Sequence, residues 1–369
     1  MEFNHLSFYV DEVAPWRDWF INAWEGVWAG PAEPQGPDQE PDQGRDHSDP
    51  QLDQDLLYVG QVPLLLVADP AVVGAYLGQH PSGIGDVALR VANLDHTLAQ
   101  VVAAGGRIVQ PIRLDPWGRG RWGQIQGWGA LRHTLVESWQ PHHWVPTVAP
   151  GPGLPSPSLI TAIDHAVINV PLGQLSEATA WYTSQLGFQP RQQFTIDTPR
   201  SGLRSQVLAH PDGKAQLPIN EPATENSQVQ EFLHYNRGCG VQHVALHTRD
   251  ILQTVGRLKA RGVSFLPVPA SYYETLCDRT GYCPSDDGEA AIAQLQILID
   301  WEPHLPQARL LQTFTQPFLN IPTVFFELIQ RQVVWANDEL AQAQGFGERN
   351  FQALFEAIER EQIKRGSLA

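Results

Sequence analysis

Short apolar runs bounded by turn residues alternate along the chain with longer stretches whose apolar positions recur at three and four. The first pattern predicts β-strands, as over Leu56–Val67, Ser205–Ala209 and Leu295–Ile299, all rich in Leu, Ile and Val. The second predicts helices over Leu94–Ala104, Leu175–Leu186 and Ile251–Arg261. Asp250 stands where it can cap the last of these, and Ser176 falls in the first turn of the second. A further amphipathic stretch, Asn350 to Lys364, follows Gly345-Phe-Gly347. Glycines there suit a hinge, and a helix on a hinge suits a lid.

The pattern occurs twice. His5-Leu-Ser-Phe-Tyr-Val10 reads like His165-Ala-Val-Ile-Asn-Val170, and each is followed by a helix-like stretch with an aromatic pair, Trp19-Phe20 or Trp181-Tyr182. Gly85-Asp86-Val-Ala-Leu matches Gln242-His243-Val-Ala-Leu, and the segments Leu94–Val109 and Ile251–Phe265 match behind them. His133-Thr-Leu-Val-Glu137 is set against Val324-Phe-Phe-Glu327. The first intervals nearly agree, 81 residues from His5 to Asp86 and 78 from His165 to His243. The next diverge, 51 from Asp86 to Glu137 against 84 from His243 to Glu327, so the second copy carries an insertion. This predicts a domain over 1–139, a proline-rich linker over 140–157 and a second domain over 158–369.

Polar segments punctuate that plan. Gly30 to Gln54 is rich in Pro, Gln and acid and reads as a surface loop, and Leu276 to Glu289 is a second polar insertion. The turn before Leu310 runs Asp300-Trp-Glu-Pro-His-Leu-Pro, longer than a simple glycine turn. At 42% hydrophobic residues the chain is globular. Its formal charge of −16 opposes nucleic-acid binding, which needs clustered Lys and Arg. No apolar run is long enough to span a bilayer, and the start of the chain has no basic leader, so a cytoplasmic protein is expected. Three cysteines without repeated spacing (Cys239, Cys277, Cys283) read as free thiols.

Candidate chemistry sits in the second copy. Ile-Asp-His165-Ala-Val, Val-Gln-His243-Val-Ala and Phe-Phe-Glu327-Leu-Ile each carry one metal-type ligand in an apolar setting, where an unpaired polar group is costly to bury. A single buried histidine is more often a satisfied core residue. Here two imidazoles and a carboxylate stand together in one half, while the other half has Asp86 in place of His243. That ligand set is the facial triad of non-haem Fe(II) oxygenases. It leaves three positions on an octahedral ion, room for a 2-oxo acid and O₂. Strand alternation puts Phe325 on the face of Glu327, Phe314 on that of Gln312, and Pro218 on that of Asn220. Phe346 and Phe351 flank the lid. Phenylalanines with a few amides make a pocket for a flat ring with a polar para substituent.

Taken together, Asp164-His165-Ala-Val, Gln216-Leu-Pro218-Ile-Asn220-Glu-Pro222, Gln242-His243-Val-Ala-Leu, Leu310-Leu-Gln312-Thr-Phe314-Thr, Phe325-Phe-Glu327-Leu-Ile-Gln330-Arg331 and Gly345-Phe-Gly347-Glu-Arg-Asn350-Phe351 resemble the 4-hydroxyphenylpyruvate dioxygenase family of the vicinal oxygen chelate superfamily. The resemblance covers nearly the whole chain and is strongest from about Ile163 onward. It implies an α+β fold of two tandem domains, each of paired βαβββ units in a half-open barrel, with the first metal-free and a C-terminal gating helix. It implies Fe(II) on His165, His243 and Glu327, with Ser205, Asn220, Gln228 and Gln312 as polar contacts in the substrate pocket. Phe325, Phe346, Phe351 and Pro218 would line that pocket. Gln242 carries less weight, because strict alternation sets it opposite His243. The implied reaction converts 4-hydroxyphenylpyruvate and O₂ to homogentisate and CO₂, a step of tyrosine catabolism or prenylquinone precursor supply, in a homo-oligomer. Hydroxymandelate synthase is the nearest rival, with benzylic oxidation of the same substrate. Extradiol catechol dioxygenases and metal-free binding proteins of the bleomycin-resistance type stand further off.

Overall fold

The structure is a computed structural model that describes residues 1–31, 54–140, 144–148, 158–274, 276, 288–318, 322–336 and 339–366. Its first half holds strands β1 (Glu2–Tyr9), β2 (Val27–Pro31), β3 (Gln54–Val59), β4 (Val62–Val67), β5 (Gly83–Arg90), β6 (Ile108–Leu114), β7 (Gly120–Gln126) and β8 (Arg132–Ser138). Helices α1 (Val13–Trp24), α2 (Pro70–Leu77) and α3 (Leu94–Ala103) connect them. The second half repeats the plan with β9 (Ile160–Asn169), β10 (Gln189–Asp197), β11 (Gly202–Ala209), β12 (Gln216–Pro222), β13 (Gly240–Thr248), β14 (Leu298–Trp301), β15 (Arg309–Phe314) and β16 (Phe325–Arg331). Its helices are α4 (Leu175–Leu186), α5 (Gln228–Tyr235), α6 (Ile251–Ala260), α7 (Ala270–Glu274) and α8 (Glu289–Leu295). A hairpin of β17 (Val333–Ala336) and β18 (Glu339–Gln342) and helix α9 (Glu348–Arg365) follow.

Both halves curl into eight-stranded half-barrels of the same order, β2-β3-β4-β1-β5-β8-β7-β6 and β10-β11-β12-β9-β13-β16-β15-β14. The repeat read from the sequence is therefore a repeat of topology. Three of the expected helices begin where their patterns begin, the last starts two residues early at Glu348, and Asp250 caps α6 by accepting from Gln253 N at 2.9 Å. Two expected strands are corrected. Leu56–Val67 folds as β3 and β4, because the chain turns at Gly60 with φ +63°. A Cβ there would overlap the carbonyl oxygen of Ile160, which accepts instead from Gln61 N at 3.0 Å. Leu295 ends α8, and the strand begins only at Leu298, after a left-handed residue at Gln296.

The predicted linker and insertions fall largely outside the described residues: 32–53, 141–143, 149–157, 277–287, and with them Cys277 and Cys283. Residues 144–148 of the linker are packed, not solvated. Trp144, Val145 and Val148 are buried, and Arg119 donates to Val148 O at 2.6 Å while stacking on Trp144.

One apolar cluster runs through both halves. Phe8, Trp16, Phe20 and Trp24 of the first half meet Phe318 and Phe326 of the second, with Trp24 and Phe326 centroids 4.8 Å apart. Full burial of each such ring is worth about 1.5–3 kcal/mol. A polar link crosses the same boundary, from the Tyr182 hydroxyl to His133 Nε2 at 3.0 Å. Among the described residues no helix is long and apolar enough to cross a membrane.

Candidate metal centre

Two bulges in the β9–β13 pairing set the ligand positions. Ala245 pairs with His165 and Leu246 with Ile163, so Asp164 is an extra residue lying beside His165. Val241 pairs with Ile168 and His243 with Val167, so Gln242 is extra as well. In the parallel pairing of β13 with β16, His243 faces Phe325 and Ala245 faces Glu327. His165, His243 and Glu327 thus project from three neighbouring strands onto one face.

All three are buried, and their donor atoms lie within 4.8 Å of one another. Glu327 Oε2 is 3.3 Å from His165 Nε2 and 3.7 Å from His243 Nε2. Its other oxygen is occupied: Gln312 Nε2 donates to Oε1 at 2.8 Å, so only Oε2 faces the imidazoles. Asp164 Oδ1 accepts from His165 Nδ1 at 2.9 Å, which leaves Nε2 for a ligand role. The Arg331 fork pairs with Asp164 through two 2.8 Å bonds and holds its carboxyl far below the usual range despite burial. His243 stacks on Phe325 at 4.8 Å, and Phe346 lies edge-on to His165 at 5.3 Å.

The residues fit a metal. Neither ring nitrogen of His243 has a hydrogen-bond partner although the side chain is fully buried, an arrangement that native proteins rarely leave unexplained. A divalent ion would take one of them. Two imidazoles and a carboxylate oxygen suit first-row transition metals. Among the described residues this is the one such cluster of buried His and Glu.

Charge coupling makes the centre pH-sensitive. Burial works against a charge on His165, but the Glu327 carboxylate and then Asp164 outweigh it and push its pKa up to about 9. Burial, reinforced by His165, holds His243 well below the ordinary histidine value, so that ligand is already neutral. A metal must therefore displace one proton, from His165. Metal affinity should rise about tenfold per pH unit below the His165 pKa and flatten above it. Titration with Co(II) across that range would show it, and a flat profile would contradict the assignment.

Of the expected pocket residues, Ser205, Asn220, Pro218 and Phe325 lie on the sheet face of the cluster. Ser205 pairs directly with Asn220 across β11 and β12, and Asn220 aligns with Asn169 on β9, two alternations from His165. Asn220 Nδ2 donates to Asn169 Oδ1 at 3.3 Å. Ser205 Oγ, Asn220 Oδ1 and Gln228 Oε1 are buried and have no hydrogen-bond partner in the protein. Pro218 shares the face of Asn220, and Phe314 lies 6.3 Å from His243. Gln228, Gln242 and Phe325 line a cavity of ≈ 30 Å³ together with Ile358 of α9. Gln242 thus reaches this cavity because the bulge breaks the alternation that set it aside. Phe351 sits edge-on to Phe194 at 5.3 Å, in a cluster with Phe232 and Phe355.

Sequence reasoning missed Asn169, Asp164, Arg331, Asn350 and Tyr272. Asn350 Nδ2 donates to Gln312 Oε1 at 2.8 Å, and the Tyr272 hydroxyl donates to Asn350 Oδ1 at 3.0 Å. Asn169 alone carried a signal, its spacing of four from His165 along one strand.

The equivalent place in the first half is closed by hydrogen bonds. His5 Nδ1 lies 2.7 Å from Asn4 Oδ1, as His165 lies beside Asp164. Asp86 accepts from Thr134 N at 3.0 Å, from Thr134 Oγ1 at 2.7 Å and from Gln124 Nε2 at 2.7 Å. The register corrects the sequence alignment. Asp86 pairs with Arg132 as His243 pairs with Phe325, so the counterpart of Glu327 is Thr134, not Glu137. Glu137 corresponds to Gln330, and each accepts from the first amide of the helix that leaves the neighbouring strand, Leu94 N of α3 at 2.6 Å and Ile251 N of α6 at 2.9 Å.

A profile described as the glyoxalase/bleomycin resistance protein/dioxygenase superfamily matches residues 162–279, in the half that carries the buried His165–His243–Glu327 cluster. The solved structure of a triple mutant of 4-hydroxymandelate synthase from Streptomyces coelicolor has the same fold, with a TM-score of 0.79 over 98% of both chains at 24% identity. The 4-hydroxyphenylpyruvate dioxygenase of Caenorhabditis briggsae is 38% identical over 324 residues, 82% of this chain and 79% of that protein. That of Neurospora crassa is 38% identical over 315 residues, 79% and 73% of the two chains. At this identity and coverage the chain belongs to the 4-hydroxyphenylpyruvate dioxygenase family.

Proposed function

We propose that the chain is an Fe(II)-dependent dioxygenase that converts 4-hydroxyphenylpyruvate and O₂ to homogentisate and CO₂. The observation that carries this reading is the buried His165–His243–Glu327 cluster sharing a sheet face with the unpaired polar atoms of Ser205 and Asn220. Bound Fe(II) would supply O₂ activation, with electrons from decarboxylation of the 2-oxo acid. The chain's own residues bind, orient and exclude water. Gln312 fixes Glu327 so that one oxygen serves as ligand. Phe325 and Phe346 pack against the two imidazoles and hold their planes. Ser205, Asn220 and Gln228 offer hydrogen bonds to the polar groups of the substrate, and Phe351 bounds the ring from α9. The cavity has room for about one water and borders the site at Gln228, Gln242 and Phe325, while none of His165, His243 and Glu327 lines it. Ile358 of α9 also lines it, which supports a lid role for that helix.

Which carbon is oxidised depends on how the ring is held, and a shift of about 1 Å can cost on the order of a hundredfold in rate. Fe(II)-loaded protein incubated with 4-hydroxyphenylpyruvate in air should yield chiefly homogentisate. The Phe351→Ile variant should divert part of the product to benzylic hydroxylation. Chromatography reads both. Mostly 4-hydroxymandelate from the wild type would replace this reading with that of the synthase.

A further inference from the structure

We propose that metal binding and seating of α9 are coupled through Arg331 and Asn350, two positioning residues that each tie a ligand to the start of that helix. The inference rests on the reading of His165, His243 and Glu327 as the metal ligands. Arg331 holds Asp164, which holds His165, and through Nη1 it also donates to Gly345 O at 2.9 Å. One guanidinium therefore spans a ligand's support and the residue that opens the hinge. A second connection runs from Glu327 through Gln312, whose Nε2 also donates to Phe346 O at 3.1 Å and whose Oε1 accepts from Asn350. Asn350 is in turn fixed by Tyr272, whose hydroxyl accepts from Ile299 N at 2.9 Å.

Both connections end in residues 345–350, the segment that leads into α9. When that segment leaves, Gln312 loses the partner of its oxygen and one partner of its nitrogen, and Arg331 loses a carbonyl. Glu327 and Asp164 then keep less of their orientation. An ion that fixes Glu327 and His165 must accordingly favour the seated segment, and a seated segment must favour the ion by the same factor. A third tie reaches no ligand. Asp300 pairs with Arg349 at 2.9 Å and accepts from Arg349 N at 3.3 Å, while the guanidinium lies 4.6 Å over the Trp301 ring. This clamp supplies the control for a merely structural role.

Hydrogen exchange of residues 345–366 in the whole chain, measured anaerobically with and without saturating Fe(II), tests the coupling. In the wild type Fe(II) should slow exchange there about tenfold, within the usual range of coupling between sites. Arg349→Ala should speed exchange in both states and keep the Fe(II)-dependent ratio. Arg331→Lys, which cannot reach Asp164 and Gly345 together as a fork does, should lower the ratio severalfold, leaving the part carried through Gln312 and Asn350. Its Fe(II) affinity should weaken by the factor lost from the ratio. Asn350→Leu should do the same and carries the test should the Arg331 variant not fold. A wild-type ratio of one with Fe(II) bound, or an unchanged ratio in both variants, would overturn the coupling and leave the metal assignment standing. Failure of the wild type to bind Fe(II) would instead remove the metal assignment.

Discussion

Replacing His243 or Glu327 by alanine should strip the protein of metal and abolish turnover while leaving it folded. The loss should exceed the roughly 10- to 100-fold seen when only the support of a ligand is removed. Folding should survive because His243 has no hydrogen bond to lose, and its removal relieves a buried, unpaired polar group. His165→Ala belongs with them in effect on metal, with the added cost of leaving Asp164 one partner short. His5→Ala should retain metal in full, since Asp86 and Thr134 at the neighbouring positions satisfy each other. Metal analysis of the purified variants decides the matter. Full metal content in the second-half variants, or its loss on changing His5, would place the centre elsewhere.

A single methyl group at Gly347 should be nearly as damaging as the loss of a ligand, by a different route. Gly347 has φ +68° and ψ +59°, the left-handed conformation, which costs other residues about 1–2 kcal/mol. A Cβ there would also overlap Gln312 Oε1. In Gly347→Ala the amide must swing away, giving up Asn350 and loosening Glu327. Turnover is expected to fall about a hundredfold, the scale of a 1 Å misplacement. Melting should drop by only a few degrees, as a change of about 2 kcal/mol implies for a chain of this size. Metal should stay bound, and O₂ consumption should exceed product formation because the site no longer excludes water. An oxygen electrode run beside product chromatography measures that ratio. One product per O₂ at the wild-type rate would make Gln312 a bystander.

The buried cluster of His165, His243 and Glu327 is legible because each member sits alone among apolar residues, in strands whose type the sequence announces. The shared face of Asn220, Gln312 and Phe325 on β12, β15 and β16 is legible for a related reason: regular alternation carries them to the side of that cluster. Where the backbone departs from alternation, the reading departed with it. Alternation sets Gln242 opposite His243 because a bulge leaves no mark in the sequence, and β3 and β4 read as one strand because Gly60 is flanked by strand-forming residues on both sides. Glu137 was matched to Glu327 by identity, whereas pairing register selects Thr134. Arg331 and Asn350 could not be read at all, since their meaning lies in partners more than thirty residues away.

Phe326 is the residue immediately before Glu327, and its ring points the other way, into Trp24, Phe20 and Phe8 of the first half. The strand that bears the carboxylate is thereby buttressed from behind by the half whose own centre has been closed with hydrogen bonds. Such a half works as masonry: the polar residues at its closed centre could change at small cost to its sibling, but not the aromatic wall on which the strand of Glu327 leans.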